Sequence, residues 1–381
     1  MDFSWTDEQL RLKASISEFA QRELNAGLLD RDHRGELSRD NWQKCADFGI
    51  QGLAVPEEFG GSGSDPLSTM LALEGLGHGC RDNGLIFAIN AQMWAVQTPL
   101  LRFGTPEQKT RYLPALVSGR SVGAHAMTEP GSGSDSFSLT TKADRHGDRY
   151  VLNGTKTFVS NAPFADLFLV FATVNKARGF MGVTAFLIDK GTPGLSVGRP
   201  IDKMGLRTAP LAEISLVDCE VGVEQRLGAE GNGGAIFTHS MDWERGSILA
   251  SYIGTLERQI ERCVEYAGTR RQFGQPIGSF QLVSSRIVNM KVRLETARLL
   301  LYKAAWLRSQ GHDATQAGAM AKLYLSECCV QSSLDAIQVF GGYGVCKEFE
   351  LERDLRDSVG SRIYSGTSEI QLQIIARSLG L

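Results

Sequence analysis

The sequence predicts an α+β protein of several domains, helical at both ends and β-rich in the middle. The chain has 381 residues, which is more than one hydrophobic core usually supports. Apolar residues recur at three- and four-residue steps through the first 120 residues and again after residue 231. Between these regions the pattern changes to short apolar runs bounded by turn residues. We therefore expect domains at residues 1–120, 121–230 and 231–381.

The first region shows two clear helix signals. Leu12, Ile16, Phe19 and Ala20 fall on one face of a helix predicted within residues 10–24, with charged residues between them. Further on, Thr105 precedes Pro106, which is the usual order of an N-cap and a first helical residue. Both signals indicate a helical N-terminal domain.

The middle region has the composition of strands and turns. Asn153-Gly154 lies between two apolar segments and predicts a hairpin turn at that dipeptide. Three more runs, over residues 167–172, 183–188 and 211–216, have the length and β-branched or aromatic content of strands. The region therefore predicts one β domain.

The last region returns to the helical period. One long helix is indicated by Leu249, Ile253, Leu256, Ile260 and Val264, and another by Ile287, Met290, Leu294, Ala297 and Leu301. We expect a helical C-terminal domain built from such helices.

Composition narrows the class of function. The net charge is −3, which does not favour a nucleic acid or an acidic membrane as the main partner. The acidic N-terminus lacks a signal or transit pattern, and no apolar run reaches membrane-spanning length, so we expect a cytoplasmic protein. The seven cysteines are scattered without zinc-ligand spacing, which predicts buried thiols and no metal site.

Two segments contain residues that suit a ligand-binding site. Residues 127–135, Met-Thr-Glu-Pro-Gly-Ser-Gly-Ser-Asp, form a turn rich in hydroxyls and backbone N–H groups, which suits a heterocycle edge or a phosphate. Residues 153–161 place an aromatic side chain near a hydroxyl on a strand. Taken singly, the first is more typical of a surface loop and the second of core packing. The P-loop and nucleophile-elbow motifs are absent.

In this order, and with five further motifs, the sequence resembles the acyl-CoA dehydrogenase superfamily over nearly its whole length. The further motifs are Val55–Gly61, Asp202–Arg207, Arg270–Ile277, Gln338–Gly344 and Ile363–Gln371. The resemblance implies a β-barrel-like middle domain, a C-terminal four-helix bundle and a homotetramer. It also implies FAD as the cofactor, bound between the middle and C-terminal domains.

The resemblance further implies which residues bind FAD. Those expected at the isoalloxazine ring or the substrate are Met127, Thr128, Ser134, Phe158, Ser160 and Thr367. Those expected at the pyrophosphate and adenosine of a neighbouring subunit's FAD are Arg270, Gln272, Phe273, Gln338, Gly341 and Gly342. The family usually has Trp at the position of Phe158, so this contact should be apolar packing without an N–H donor.

The position of the catalytic base departs from the commonest family pattern. Much of the family has a Glu directly before Gly-Thr in the tail, where this chain has Ser365. A second branch, which includes isovaleryl-type enzymes, has its base on the first long C-terminal helix, and Glu244 matches that position. Glu244 lies in a sparsely charged stretch, which favours burial and a raised pKa. We expect Glu244 to be the base and the Ser365 N–H to bind the thioester carbonyl, with Asp242 a weaker candidate base.

The substrate remains open between three hypotheses. The segments around Trp243, Asn161 and Tyr364 are similar to a subgroup that oxidises prolyl groups on peptidyl carrier proteins toward pyrrole-2-carboxyl thioesters. An acidic carrier protein could then dock on basic residues, namely Arg286, Lys291, Arg293, Arg298 and Lys303. The alternatives are a branched short-chain acyl-CoA dehydrogenase and a non-catalytic flavin-binding relative. The electron acceptor is either an electron-transfer flavoprotein or oxygen.

Overall fold

A computed structural model describes residues 4–381 of the chain. The first part is helical, as predicted. Thr6 and Thr105 both cap helices through capping boxes, and Pro106 is the first residue of its helix. These helices are α1 (Asp7–Glu23), α2 (Leu28–Arg34), α3 (Arg39–Asp47), α4 (Pro66–Gly79), α5 (Asn83–Gln92), α6 (Thr98–Phe103) and α7 (Pro106–Val117).

The middle part is one mixed sheet of eight strands. The strands are β1 (Gly123–Ala126), β2 (Lys142–His146), β3 (Arg149–Ser160), β4 (Leu167–Thr173), β5 (Val183–Asp189), β6 (Leu195–Val197), β7 (Leu211–Gly222) and β8 (Arg226–Leu227). They follow the order β6-β7-β3-β2-β4-β5-β8, with β1 added in parallel to β4. Among the described residues β6 and β8 do not pair, so the ladder is open.

The hairpin predicted at Asn153-Gly154 is wrong. Residues 149–160 form the single strand β3, and the chain turns before it, at Gly147. The dipeptide instead lies where the register of β3 against β7 shifts. Asn153 exchanges hydrogen bonds with Asp218 across the strands. A Cβ on Gly154 would lie 2.4 Å from the hydroxyl of Thr141, so glycine is required here by close packing and not by a turn.

The last part is again helical. Its helices are α8 (Gly233–Arg245), α9 (Ala250–Thr269), α10 (Gln281–Ser309), α11 (Thr315–Phe340), α12 (Leu351–Val359) and α13 (Ser368–Ser378). A two-residue hairpin, β9 (Arg271–Gln272) and β10 (Gln275–Pro276), follows α9. Glu244 therefore lies at the end of the short helix α8, which stops before Gly246, and not on the long helix α9.

The two helical parts share one hydrophobic core. Ile16 and Leu73 from the first part belong to the same buried cluster as Ile253, Leu294 and Leu325 from the last. The backbones of α4 and α9 meet at glycines, since a Cβ on Gly77 would lie 1.8 Å from the Ser251 carbonyl oxygen. α8, which precedes α9 in the chain, packs against β5 of the sheet and against α11. In the described part of the chain, no helix is long and apolar enough to span a membrane.

Candidate active site

A cavity of about 650 Å³ lies where the sheet meets the helices of both ends. Phe87 on α5 lines one wall, and Met127 and Phe158 line the side formed by the sheet. Glu244 at the end of α8 and Ser365 in the tail close the opposite side. The fold thus brings together residues that are far apart in sequence around one space large enough for a ligand.

A buried ion pair between Glu129 and Lys156 fixes the loop that follows β1. The Glu129 carboxylate accepts a 2.8 Å hydrogen bond from Lys156 Nζ and is also bonded by the N–H groups of Thr140 and Thr141. Burial opposes ionisation of Glu129, but Lys156 lowers its pKa to about 2. Both partners are therefore charged at neutral pH, although burial also lowers the pKa of Lys156 to about 8. The pair holds Met127, Thr128 and Ser134 along the cavity wall.

β3 presents an open aromatic surface to the cavity. Phe158 has a positive φ of 54°, and 63% of its surface is exposed although it lines the cavity. Ser160 lies two residues further along the same strand and also lines it. A non-glycine residue at positive φ is uncommon and often marks a functional site. The exposed ring suits a planar ligand.

His125 on β1 is a cavity residue that sequence reasoning missed. Its Nε2 atom is buried and has no hydrogen-bond partner among the described residues. Burial, assisted by the charge of Lys156, lowers the pKa of His125 to about 4, so the imidazole is neutral. A buried nitrogen without a partner is costly, which favours a ligand group that completes its bonding.

Glu244 is buried, and only one of its two carboxylate oxygens has a partner. Ser365 Oγ donates to Oε1 at 2.5 Å, whereas Oε2 is buried and unpaired among the described residues. Burial raises the pKa of Glu244 to about 7, while Ser365, Arg245 and Lys322 act in the opposite direction. A carboxylate that titrates near neutrality and has a free oxygen in a cavity is suited to accept a proton.

Asp242, the weaker candidate, is in a different position. It does not line the cavity, and its carboxylate pairs with Arg245 at 3.2 Å. It lies two residues from Glu244 on α8, so its side chain points to another face of the helix. The geometry favours Glu244 over Asp242.

The tail turn that carries Ser365 is held by two neighbouring helices. Ser365 and Gly366 both have positive φ, 57° and 87°. The Gly366 carbonyl accepts hydrogen bonds from Lys322 Nζ at 2.6 Å and from Gln371 Nε2 at 2.8 Å. Thr367 lines the cavity and caps α13 through its hydroxyl. The tail is therefore fixed in place beside Glu244.

A second cavity of about 490 Å³ lies at the far end of α9 and α11. It contains Arg270 and Gln272 together with the exposed glycines 341 and 342. The Arg270 guanidinium lies 5.9 Å from the ring centre of Tyr343. Phe273 and Gln338 do not line this cavity, and Phe273 is 94% exposed at a φ of 50°. The structure thus brings together four of the six residues predicted for this site.

Each of the two cavities suits a different end of an FAD molecule. The first offers an exposed aromatic ring, hydroxyls and an unpaired buried nitrogen at His125, which suit a planar heterocycle with polar edges. The second offers a guanidinium beside backbone without side chains, which suits a phosphate. No cluster of potential metal ligands occurs among residues 4–381.

The basic residues of α10 are largely engaged within the chain. Arg286 and Arg293 both pair with Asp335, and Arg298 pairs with Glu74. Lys291 pairs with Glu295 one turn along the helix. Lys303 is exposed and has no ion-pair partner among the described residues, and docking of an acidic carrier protein on these five residues stays a prediction.

Three family models match consecutive parts of the chain. The N-terminal domain of acyl-CoA dehydrogenase matches residues 6–120, the middle domain matches 124–219 and the C-terminal domain matches 231–380. The chain belongs to the acyl-CoA dehydrogenase family. Its fold is the three-domain fold of that family, with helical outer domains and a sheet domain between them.

Several relatives in the family are similar over the whole chain. L-prolyl-[peptidyl-carrier protein] dehydrogenase of a Serratia species is 47% identical and matches 100% of this chain and 99% of its own. The crystal structure of the prolyl acyl carrier protein oxidase AnaB has a TM-score of 0.98 and 50% identity, covering 99% of this chain and all of AnaB. PigA with FAD and proline has a TM-score of 0.98 and 46% identity, with both chains fully covered.

Sequence reasoning missed His125, which lines the cavity, and Lys322, which binds the tail turn beside it. Lys322 lies on the apolar face of a helix far from every recognised motif, and it carries no signal of its own. His125 directly precedes the Ala126-Met127-Thr128 end of β1, so its proximity to that motif was the available signal.

Proposed function

We propose that this protein is an FAD-dependent dehydrogenase that oxidises an L-prolyl group tethered to a peptidyl carrier protein, toward a pyrrole-2-carboxyl thioester. The observation that carries the proposal is the Glu244 carboxylate, which has one oxygen held by Ser365 and the other free in the cavity. The relatives named above support the substrate, since two of them are named for prolyl carrier proteins.

FAD is the proposed cofactor, and when bound it supplies the acceptor for the hydride. We propose that Met127, Thr128, Ser134, Phe158, Ser160 and Thr367 contact its ring system in the first cavity. We propose that Arg270, Gln272, Gly341 and Gly342, in the second cavity, contact the phosphates and adenosine of a neighbouring subunit's FAD. Phe273 and Gln338 remain proposals for contacts with FAD at a subunit interface.

The residues of the chain have distinct proposed tasks in the reaction. Glu244 Oε2 accepts the proton from the carbon next to the thioester carbonyl. Because its pKa is close to 7, the carboxylate is ionised often enough to act as a base and retains the proton afterwards. The Ser365 hydroxyl keeps Oε1 in place, and we propose that the Ser365 N–H stabilises the negative charge that develops on the carbonyl oxygen.

We propose a homotetramer of chains with boundaries near residues 120 and 230, a barrel-like middle domain and a C-terminal four-helix bundle. The electron acceptor would be an electron-transfer flavoprotein or oxygen. The cytoplasmic location predicted from the sequence stays a prediction.

The first test is anaerobic reduction of the bound flavin, followed as loss of its visible absorbance. The purified holoenzyme is mixed separately with prolyl-S-carrier protein and with isovaleryl-CoA. We expect the prolyl carrier protein to bleach the flavin and isovaleryl-CoA to leave it oxidised. Bleaching by isovaleryl-CoA alone would make the protein a short-chain acyl-CoA dehydrogenase, and bleaching by neither would favour a non-catalytic flavoprotein.

The control for the base is Glu244→Gln, which keeps the shape of the side chain but cannot accept the proton. We expect this variant to retain FAD and to lose flavin reduction by at least about 10³-fold, in keeping with loss of a general base. Asp242→Asn is the matched variant, and it should retain most of the activity. The reverse outcome would assign the base to Asp242.

A further inference from the structure

Lys322 is a fully buried lysine without a carboxylate partner. It lies in the middle of α11, and 1% of its surface is exposed. Lys156 is equally buried but pairs with Glu129 at 2.8 Å. For Lys322, no carboxylate of the described residues lies within ion-pair distance. An isolated buried ammonium group is expensive, so its presence calls for a compensating role.

The hydrogen bond of Lys322 goes to the turn that carries Ser365. Its Nζ donates to the Gly366 carbonyl at 2.6 Å and lies 5.9 Å from the centre of the Tyr364 ring. Gln371 Nε2 donates to the same carbonyl from α13. These two donors fix a turn whose backbone has two successive positive φ angles, and Ser365 Oγ reaches Glu244 from that turn.

The charges around Lys322 come from three elements. Glu244 and Arg245 face it from the end of α8, Glu327 lies on α11 and Glu369 lies at the start of α13. Glu327 is half exposed and pairs with Arg362, and Glu369 is exposed to solvent. Glu244 is therefore the buried carboxylate of this group, and the one whose charge the Lys322 ammonium affects most in the cavity. Burial lowers the pKa of Lys322 to about 8, and Glu244 acts against that change.

We propose that Lys322 is a positioning residue for Glu244. It fixes the Ser365–Gly366 turn through the Gly366 carbonyl, and its positive charge favours the ionised form of the Glu244 carboxylate. The inference rests on the proposed function, because it assigns Lys322 to the same proton transfer. Lys322 itself does not contact the reacting atoms.

The experiment separates the charge from the hydrogen bond. Lys322→Gln keeps a donor for the Gly366 carbonyl and removes the charge, Lys322→Arg keeps the charge, and Gln371→Met removes only the neutral donor. The protonation of Glu244 is followed by infrared difference titration of the oxidised holoenzyme without substrate. Its carboxyl band is assigned by its absence in Glu244→Gln.

The wild-type midpoint is expected at about pH 7. Lys322→Gln should raise it by roughly 0.5–1 unit, because a nearby cation favours the carboxylate. The acidic limb of the flavin-reduction rate should move upward by the same amount. Lys322→Arg and Gln371→Met should leave the midpoint within about 0.2 units of wild type, and Gln371→Met should only slow the reaction.

An unchanged midpoint in Lys322→Gln would overturn the proposal. If that variant yields no holoenzyme, Lys322→Met, which removes the same charge, takes its place and must raise the midpoint, whereas an unchanged midpoint contradicts the charge role. The infrared titration needs no substrate. A shifted midpoint together with no bleaching by prolyl-S-carrier protein would therefore refute the proposed function and leave the Lys322–Glu244 coupling intact.

Discussion

Glu244 is a carboxylate whose placement costs the protein stability. It is buried, and its pKa of about 7 lies above the ordinary value of 4.5. The folded state therefore holds a proton that the unfolded state releases between about pH 4.5 and pH 7. Over that window the contribution of Glu244 to stability falls as the pH rises, and it stays low above the window.

Because the contribution of Glu244 to stability falls as the pH rises, the stability of Glu244→Gln relative to wild type should depend on pH. Gln does not titrate, so the variant should gain stability relative to wild type as the pH rises from 4.5 to 7, by on the order of 2 kcal/mol at pH 8. The measurement is the unfolding free energy of both holoenzymes at pH 5 and pH 8. A difference that does not grow with pH would show that Glu244 is not desolvated in the folded protein.

The identity of the candidate base was accessible from sequence, but its environment was not. Ser365 in the tail excluded the commoner position and directed attention to Glu244. The hydrogen bond between the two side chains joins residues 121 positions apart, and no local pattern contains it. Lys322 was inaccessible for the same reason, because its hydrogen-bond partner is the Gly366 carbonyl in a distant turn.

Among the elements of the fold, the loop after β1 depends on the buried Glu129–Lys156 pair. We predict that Glu129→Gln lowers the unfolding free energy by about 3–5 kcal/mol, because it leaves the Lys156 charge buried and uncompensated. The same change should release the loop and reduce the FAD content of the purified protein. Denaturant unfolding and the ratio of flavin to protein absorbance measure the two effects.

Glu220→Gln is the matched control for that prediction. Glu220 pairs with Arg149 in the same sheet, but both side chains are mainly exposed. Its loss should change the unfolding free energy by less than about 1 kcal/mol and leave FAD bound. Equal effects of the two substitutions would mean that burial of the Glu129–Lys156 pair has no special importance.

The element boundaries show where local sequence is informative. Thr105-Pro106 predicted a helix start correctly because an N-cap and a first-turn proline act through their own backbone. The hairpin predicted from Asn153-Gly154 was wrong because this dipeptide occurs both in turns and where two strands approach closely. Only the contact with Thr141 and the register against β7 distinguish the two cases, and neither is visible in the local sequence. Local signals therefore predict elements best when the physical cause is also local.

For the whole molecule, the order helical, β, helical was readable from periodicity alone. The open ladder of the sheet and the shared core of the two helical parts depend on contacts between distant segments, and periodicity does not contain them. The β9–β10 hairpin and α10 also carry large apolar side chains on the surface. Phe273 on the β9–β10 hairpin and Leu282 at the start of α10 are almost fully exposed, with Val288 and Val292 further along that helix.

Such exposure favours an interface between chains. We predict that light scattering after size exclusion gives the mass of four 41.5 kDa chains. Leu282→Glu should lower the mass and the FAD content, because it places a charge in the proposed interface. Val217→Glu, at an exposed apolar residue of β7, should change neither. A monomer in the wild-type protein would contradict the tetramer.

The contact between Ser365 and Glu244 has a consequence for how this site can evolve. Side chains from the tail and from α8 meet within 2.5 Å, so either chain position can deliver a carboxylate to nearly the same point in space. Two carboxylates there would repel each other, and one would be forced to hold a proton. During evolution the catalytic carboxylate can therefore move from one position to the other only if the vacated position becomes small or neutral, as Ser365 is here.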